Sequence, residues 1–200
     1  MKARLSAEER RRQIVEAAVD LFSRKGFRGT RTREIAAAAG ISEAMVFRHF
    51  ATKRELYFAI IETKSATEEL LASAAIVART RDDAGVLRAV GLKMIEQTES
   101  DPSLMRLLLF SALEGHELSD IFFESRVKRL HEFLGNYIRK GIKEGRFRSM
   151  NPLVAARGFI GMIVHYLLIH ELFGVKRPAR SSPEEVVEQF VSIFLKGIER

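Results

Sequence analysis

The sequence predicts an all-α protein of about nine helices, an N-terminal three-helix unit with a helix-turn-helix followed by a C-terminal helical bundle. Three observations carry this reading. Apolar residues recur at helical spacing in every long segment, no segment alternates like a strand, and helix-start signals punctuate the chain from Ser6 to Ser182. The boundary between the two parts is placed after residue 55, giving domains 1–55 and 56–200. With 200 residues, 46% hydrophobic and 30% charged, the chain has an ordinary globular composition. Cysteine is absent, which excludes disulfides and thiolate metal sites and fits a cytoplasmic setting. The start MKARLSAEERRR is charged where a signal peptide needs an apolar run. The longest apolar stretch, residues 158–169, is interrupted by His165 and falls short of the roughly 20 residues that span a bilayer, so no membrane association is expected.

Ser6-Ala-Glu-Glu9 is a capping box that starts a helix near Ala7. Ile14, Ala18, Leu21 and Phe22 share one face, Gly26 ends the helix, and Phe27 folds back on Phe22. Residues 30–53 then read as two short helices around a turn at Gly40, the first capped by Thr30 and the second by Ser42. Ile35, Ala36, Ala39, Ile41, Val46 and Phe50 meet inside this corner, while Glu43, Ala44, Met45, Phe47, Arg48 and His49 face outward. A steep helix pair with an exposed, mixed second helix is the arrangement that sets one helix in the DNA major groove.

Thr52-Lys-Arg-Glu55 is a second capping box, with Lys53 and Arg54 in its first turn. Positive charge there opposes the helix dipole by about 0.3–1 kcal/mol per charge. A phosphate bound at that helix start would account for it. One helix is expected from Lys53 to about Ala78, with Leu56, Tyr57, Ile60 and Ile61 inward. Asp82-Asp83 opens the next, holding Val86, Leu87, Val90, Met94 and Ile95. Asp101-Pro102 caps and starts an apolar helix to about Glu114. A helix from about Asp120 to Glu144 turns Phe122, Phe123, Val127, Leu130, Leu134, Tyr137, Ile138 and Ile142 inward, and Gly145 stops it. Asn151-Pro152 starts a helix that is apolar nearly all round between Phe159 and Phe173. Residues 176–181 form a polar connection, and Ser182-Pro-Glu-Glu185 opens the last helix.

These two terminal helices carry more apolar surface than one chain can cover. A second copy about a two-fold axis, in a four-helix interface through Phe159, Ile163, Leu167, Val187, Phe190, Val191 and Phe194, is the simplest cover. The charge is equally uneven. Of the net +7, residues 1–58 hold 13 Lys or Arg against 7 Asp or Glu, giving +6. A local basic excess attracts a polyanion, and the run Lys2, Arg4, Arg10, Arg11, Arg12 can reach a DNA backbone or remain a solvated helix start.

Residues 14–56 resemble the N-terminal domain of the TetR family of bacterial transcriptional regulators. The likeness rests on Gly26-Phe27, Thr30, Ile35-Ala36, Ala39-Gly40-Ile41-Ser42, His49-Phe50 and Lys53-x-x-Leu56. It implies a dimeric repressor binding a palindromic operator and released by a small, largely apolar effector held in the C-terminal part. It also implies site roles: Thr32, His49 and Lys53 on phosphates, Arg33 reaching base edges, and Glu43 and Ala44 facing bases. Glu43 can accept from a cytosine amine and Ala44 can touch a thymine methyl. Phe47 departs from the family, which has tyrosine there, so a phosphate hydrogen bond is lost and Arg48 stands beside it to compensate. With Ser42 and Met45 these form the expected DNA-binding set.

For the effector, polar groups on apolar faces are the candidates: Glu114, His131, Tyr137, His165 and Tyr166, with Met94 and Phe110 as walls. His165, His170 and Glu171 diverge around a helix, as do His116 and Glu117, so no metal site is expected. No phosphate loop, nucleophile elbow or paired-carboxylate motif is present, so neither a catalytic residue nor a cofactor is expected. The alternative is a helical ligand-binding or interaction protein without specific DNA recognition, and Phe47 is its one support.

Overall fold

Side-chain caps and glycine stops divide the chain into ten α-helices among the described residues of the computed structural model, which are 5–64, 67–115, 119–120, 123–176 and 182–199. In order they are α1 (Ala7–Gly29), α2 (Thr32–Ala38), α3 (Glu43–His49), α4 (Lys53–Lys64), α5 (Thr67–Ala78), α6 (Asp83–Ser100), α7 (Ser103–Leu113), α8 (Lys128–Lys143), α9 (Pro152–Glu171) and α10 (Pro183–Ile198). The β structure described is a single antiparallel bridge between Phe147 and Glu199. The helices sort into two compact units, one holding α1–α4 with α7 and the other holding α5, α6 and α8–α10.

In the first unit, α1 begins on its expected capping box. The Ser6 hydroxyl accepts from the Glu9 N–H at 3.1 Å, and the Glu9 carboxylate accepts from the Ser6 N–H at 2.7 Å. Ile14, Ala18 and Phe22 are fully closed off, together with Ile35, Leu56 and Ile60. Gly26 breaks the helical path at φ 71°, which lets Phe27 stack on Phe22 at 5.6 Å while Tyr57 meets both rings edge-on at 5.7 Å. One long and two short helices alone enclose little core. Helix α7 adds to it, burying Leu107 and receiving the Tyr57 hydroxyl on the Leu107 carbonyl at 3.5 Å.

One cap differs from expectation. Thr30 does not start α2: it is buried, and its hydroxyl donates to the Gly26 carbonyl at 2.9 Å. Its backbone is extended two residues before the helix, so the hydroxyl lies over the free carbonyls at the end of α1 instead. The N-cap of α2 is Arg31, whose N–H donates to the Glu34 carboxylate at 2.8 Å.

In the second unit, Asp82 caps α6 by accepting from the Gly85 N–H at 2.8 Å. Asp101 is the C-cap of α6, so α7 starts at Ser103. The expected helix from Lys53 to Ala78 is seen as α4 and α5, with residues 65–66 outside the described set. Before α8 the chain makes a π-helical turn at Phe123–Val127. One extra residue in a turn shifts the helix phase by about 100°. Phe123 is accordingly 39% exposed, contrary to the inward placement, whereas Leu134, Tyr137 and Ile138 are buried. Phe122 lies outside the described residues, as do His116, Glu117, and residues 177–181 of the connection.

Helix α9 starts where Asn151 accepts from the N–H groups of Leu153 and Val154 at 3.0 and 3.2 Å. Its 20 residues are long and apolar enough to cross a membrane, unlike the expectation from sequence. Helix α9 lies against α6, α8 and α10, with Ala156, Phe159, Ile160, Ile163 and Leu167 closed between them. This also corrects the interface expected from the sequence. Phe159, Ile163, Leu167, Val187, Val191 and Phe194 are core residues of the protomer, all 9% exposed or less, and only Phe190 is half-buried. Exposed on these helices instead are Val154 at 63% and Ile193 at 62%, together with Gly158, Gly161 and Gly197.

Candidate nucleic-acid interface

The corner between α2 and α3 is set by Gly40, at φ 64°. Its N–H donates to Ala37 at 3.1 Å and the next N–H, of Ile41, donates to Ala36 at 3.0 Å, closing the free carbonyls of α2. Ser42 then caps α3 as expected, accepting from the Met45 N–H at 3.3 Å. Val46 and Phe50 are buried with Ile35, Ala36 and Ala39, and Ile41 is half-buried.

Both short helices are held at their C-terminal ends by α1. Gln13 donates to the Ala39 carbonyl at 2.9 Å, and Arg11 donates to the His49 carbonyl at 3.1 Å with its guanidinium 4.2 Å above the Phe50 ring. Arg11, although exposed, thereby spends a donor on holding the end of α3. Arg10 donates to Gln13 at 2.8 Å, and Lys2 and Arg4 lie outside the described residues. Local spacing carries no sign of these roles, because the partners stand 26 and 38 residues apart.

What α3 leaves outward is Glu43, Ala44, Phe47 and Arg48, all exposed, with Ser42 beside them and Met45 and His49 half-buried. Phe47 is 46% exposed on this face. Arg33 is exposed on α2, and among the described residues neither it nor Arg48 has an ion pair. Thr32, half-buried at the start of α2, donates its hydroxyl to the Glu43 carboxylate.

Lys53 stands in the first turn of α4, where Thr52 accepts from the Glu55 N–H at 3.0 Å and Glu55 accepts from the Ala51 N–H at 2.8 Å. The Lys53 ammonium lies 4.1 Å over the Phe27 ring. Burial pushes its pKa below the usual lysine value, opposed by the carboxylates of Glu114 and Glu34. An aromatic face therefore offsets part of the unfavourable helix-end placement, leaving an ammonium held ready beside the interface.

The effector candidates are scattered. Glu114 accepts from the Arg28 N–H at 3.2 Å beside Gly26, and Phe110 packs at the same turn, so both serve the first unit. Tyr137 donates to Asp83 at 2.6 Å, next to Arg146, which also pairs with Asp83. Desolvation, reinforced by Asp83, pushes the Tyr137 pKa up to about 12. His165 is exposed, and Tyr166 packs edge-on against His170 and Phe190. Met94 and His131 are half-buried, and Nδ1 of His131 is shut from solvent without a hydrogen-bond partner among the described residues.

Comparison with known proteins agrees with this geometry. Residues 14–60 match the model of bacterial regulatory proteins of the tetR family, and residues 85–197 match that of the AefR-like transcriptional repressor C-terminal domain. The chain belongs to the TetR family. The HTH-type transcriptional regulatory protein RaaS of Mycobacterium tuberculosis is 33% identical to this TetR-family chain over 189 residues, 93% of the chain and 85% of RaaS. The TetR family regulator PfmR from Thermus thermophilus shares the fold at 24% identity with a TM-score of 0.70, covering 94% of this chain and 99% of its own. AibR, solved in complex with isovaleryl coenzyme A and operator DNA, is 26% identical with a TM-score of 0.66 over 92% of this chain and 97% of its own. This TetR-family chain is a DNA-binding transcriptional regulator.

Proposed function

We propose that this regulator is a repressor that binds a palindromic operator as a homodimer and leaves it when a small, largely apolar effector binds within residues 56–200. The observation that carries the DNA reading is the outward face of α3, where Glu43, Ala44, Phe47 and Arg48 stand exposed near the equally exposed Arg33 of α2. The half-buried Lys53 ammonium adds a phosphate contact at the edge of that face, and His49 lines it. The two-fold partner is placed on the exposed face of α9 and α10, through Val154, Gly158, Gly161 and Ile193 with Phe190 at its margin. Support for an apolar effector is the Leu- and Phe-rich composition of the C-terminal part, with Met94 and His131 as the candidate lining.

A selection from random duplexes followed by titration at several salt concentrations tests this reading. The expected outcome is a two-fold-symmetric site, with affinity falling steeply and linearly on a logarithmic salt axis. Binding no tighter than to a random duplex overturns it. Thermal-shift screening of apolar acids and thioesters then identifies the effector, because a ligand that binds the native state raises its melting temperature.

A further inference from the structure

We propose that Thr32 is a positioning residue for base readout, holding the Glu43 carboxylate so that it selects cytosine and rejects guanine in the major groove. This rests on the DNA-binding reading above and assigns Thr32 a different part from the phosphate contact implied by family resemblance.

The argument begins with the hydroxyl proton. Phosphate oxygens are acceptors, so a threonine hydroxyl must donate to bind one, and it has one proton to give. In this chain that proton goes to Glu43 Oε1. The other carboxylate oxygen of Glu43 has no partner among the described residues, and the side chain is exposed. A lone carboxylate on a DNA-facing surface is repelled by phosphates on every sequence. It regains that loss only where the groove presents a donor.

The groove offers few donors. Cytosine presents its N4 amine, adenine sets its N6 amine beside the N7 acceptor, and guanine shows two acceptors, O6 and N7. A carboxylate therefore favours cytosine and is repelled by guanine. Glutamate is also flexible, and fixing its rotamers on binding opposes discrimination. The Thr32 bond fixes them beforehand. Thr32 itself is anchored, since Glu34 in the same turn accepts from the Arg31 N–H at 2.8 Å and pairs with Lys25 at 2.7 Å. The link joins two helices across 11 residues of sequence, so Glu43 is aimed by α2 while it rides on α3.

Wild type, Thr32→Val, Glu43→Gln and the double variant are compared by fluorescence anisotropy on operator duplexes carrying each base at every half-site position, with melting temperatures as the folding control. The expected result for Thr32→Val is a roughly 3–10-fold loss of cytosine-over-guanine discrimination at one position per half-site. Its affinity for random DNA and its salt slope stay unchanged. Glu43→Gln abolishes the cytosine preference at that position and moves it towards adenine, and adding Thr32→Val causes no further change. Thr32→Ser keeps the hydroxyl and the wild-type preference.

The proposal is overturned if Thr32→Val weakens binding on all duplexes alike and lowers the salt slope by one phosphate contact, or if Glu43→Gln leaves base preference intact. Should Thr32→Val fail to fold, Thr32→Ala, which also lacks the hydroxyl, takes its place with the same expected and overturning results. If wild type binds no duplex better than random DNA, it is the underlying DNA reading that has failed.

Discussion

Gly26 answers to two demands at once. Its φ of 71° and ψ of 175° belong to a region open essentially to glycine alone. A Cβ there would also stand 2.3 Å from the Glu114 carboxylate oxygen and 3.2 Å from the Phe110 ring. Gly26→Ala therefore strains the backbone by about 1–3 kcal/mol and displaces Glu114 from the Arg28 N–H. Urea unfolding should show a loss of at least that size, whereas Ala at Gly40, which has open space around its Cβ position, should cost less. His131 makes a second prediction at this scale. Desolvation, with the Arg157 cation adding to it, lowers its pKa in the folded state, so the unfolded chain binds the proton more readily. Stability is then full above the ordinary histidine value of about 6.5 and is lost as pH falls through it. Melting temperatures from pH 7.5 to 5.5 should fall more steeply for wild type than for His131→Gln. Equal slopes would rule this residue out as the cause.

At the scale of elements, α2 and α3 have seven residues each, too few to persist by hydrogen bonding alone. They stand because Ile35, Val46 and Phe50 are buried, and because Gln13 and Arg11 of α1 take the end carbonyls of both. Replacing either α1 residue with alanine should cost about 1 kcal/mol, through a lost hydrogen bond and, for Arg11, its place over Phe50. Hydrogen exchange should show faster exchange of α2 and α3 amides while α9 and α10 stay protected. DNA affinity should drop with base preference unchanged, since neither side chain reaches a base. A change in preference would show that the clamp does more than hold.

For the whole molecule, the decisive question is which surface meets a second copy. The sequence pattern points to the most apolar residues of α9 and α10, and those residues are already enclosed in the protomer. A residue with no exposed area in its own chain cannot touch another. The partner face proposed above is therefore built on residues left outside, above all Ile193 and Val154. Ile193→Glu places a charge on that face and should convert the dimer to a monomer in sedimentation equilibrium. Palindrome affinity should fall by about a hundredfold or more, because the two half-sites are no longer bound as one linked event. An unchanged sedimentation profile would exclude this face.

Fold class and most helix starts are local properties, and the sequence determined them. Ser6, Ser42, Thr52, Asp82, Asn151 and Ser182 all cap as their spacing indicates, because a cap is made with N–H groups two or three residues away. The outward face of α3 was legible for the same reason, since a helical period read from Val46 leaves Glu43, Ala44, Phe47 and Arg48 on one side. Thr30 shows where local reading stops: it fits a cap pattern, yet its hydroxyl turns back to the preceding helix. Tertiary structure alone decided that Arg11 holds α3, that Glu114 sits at Gly26, that Lys53 rests on Phe27, and which face of α9 is inside. Each joins groups distant in sequence, or chooses between two apolar sides of one helix. Only the packing of other elements against them makes that choice.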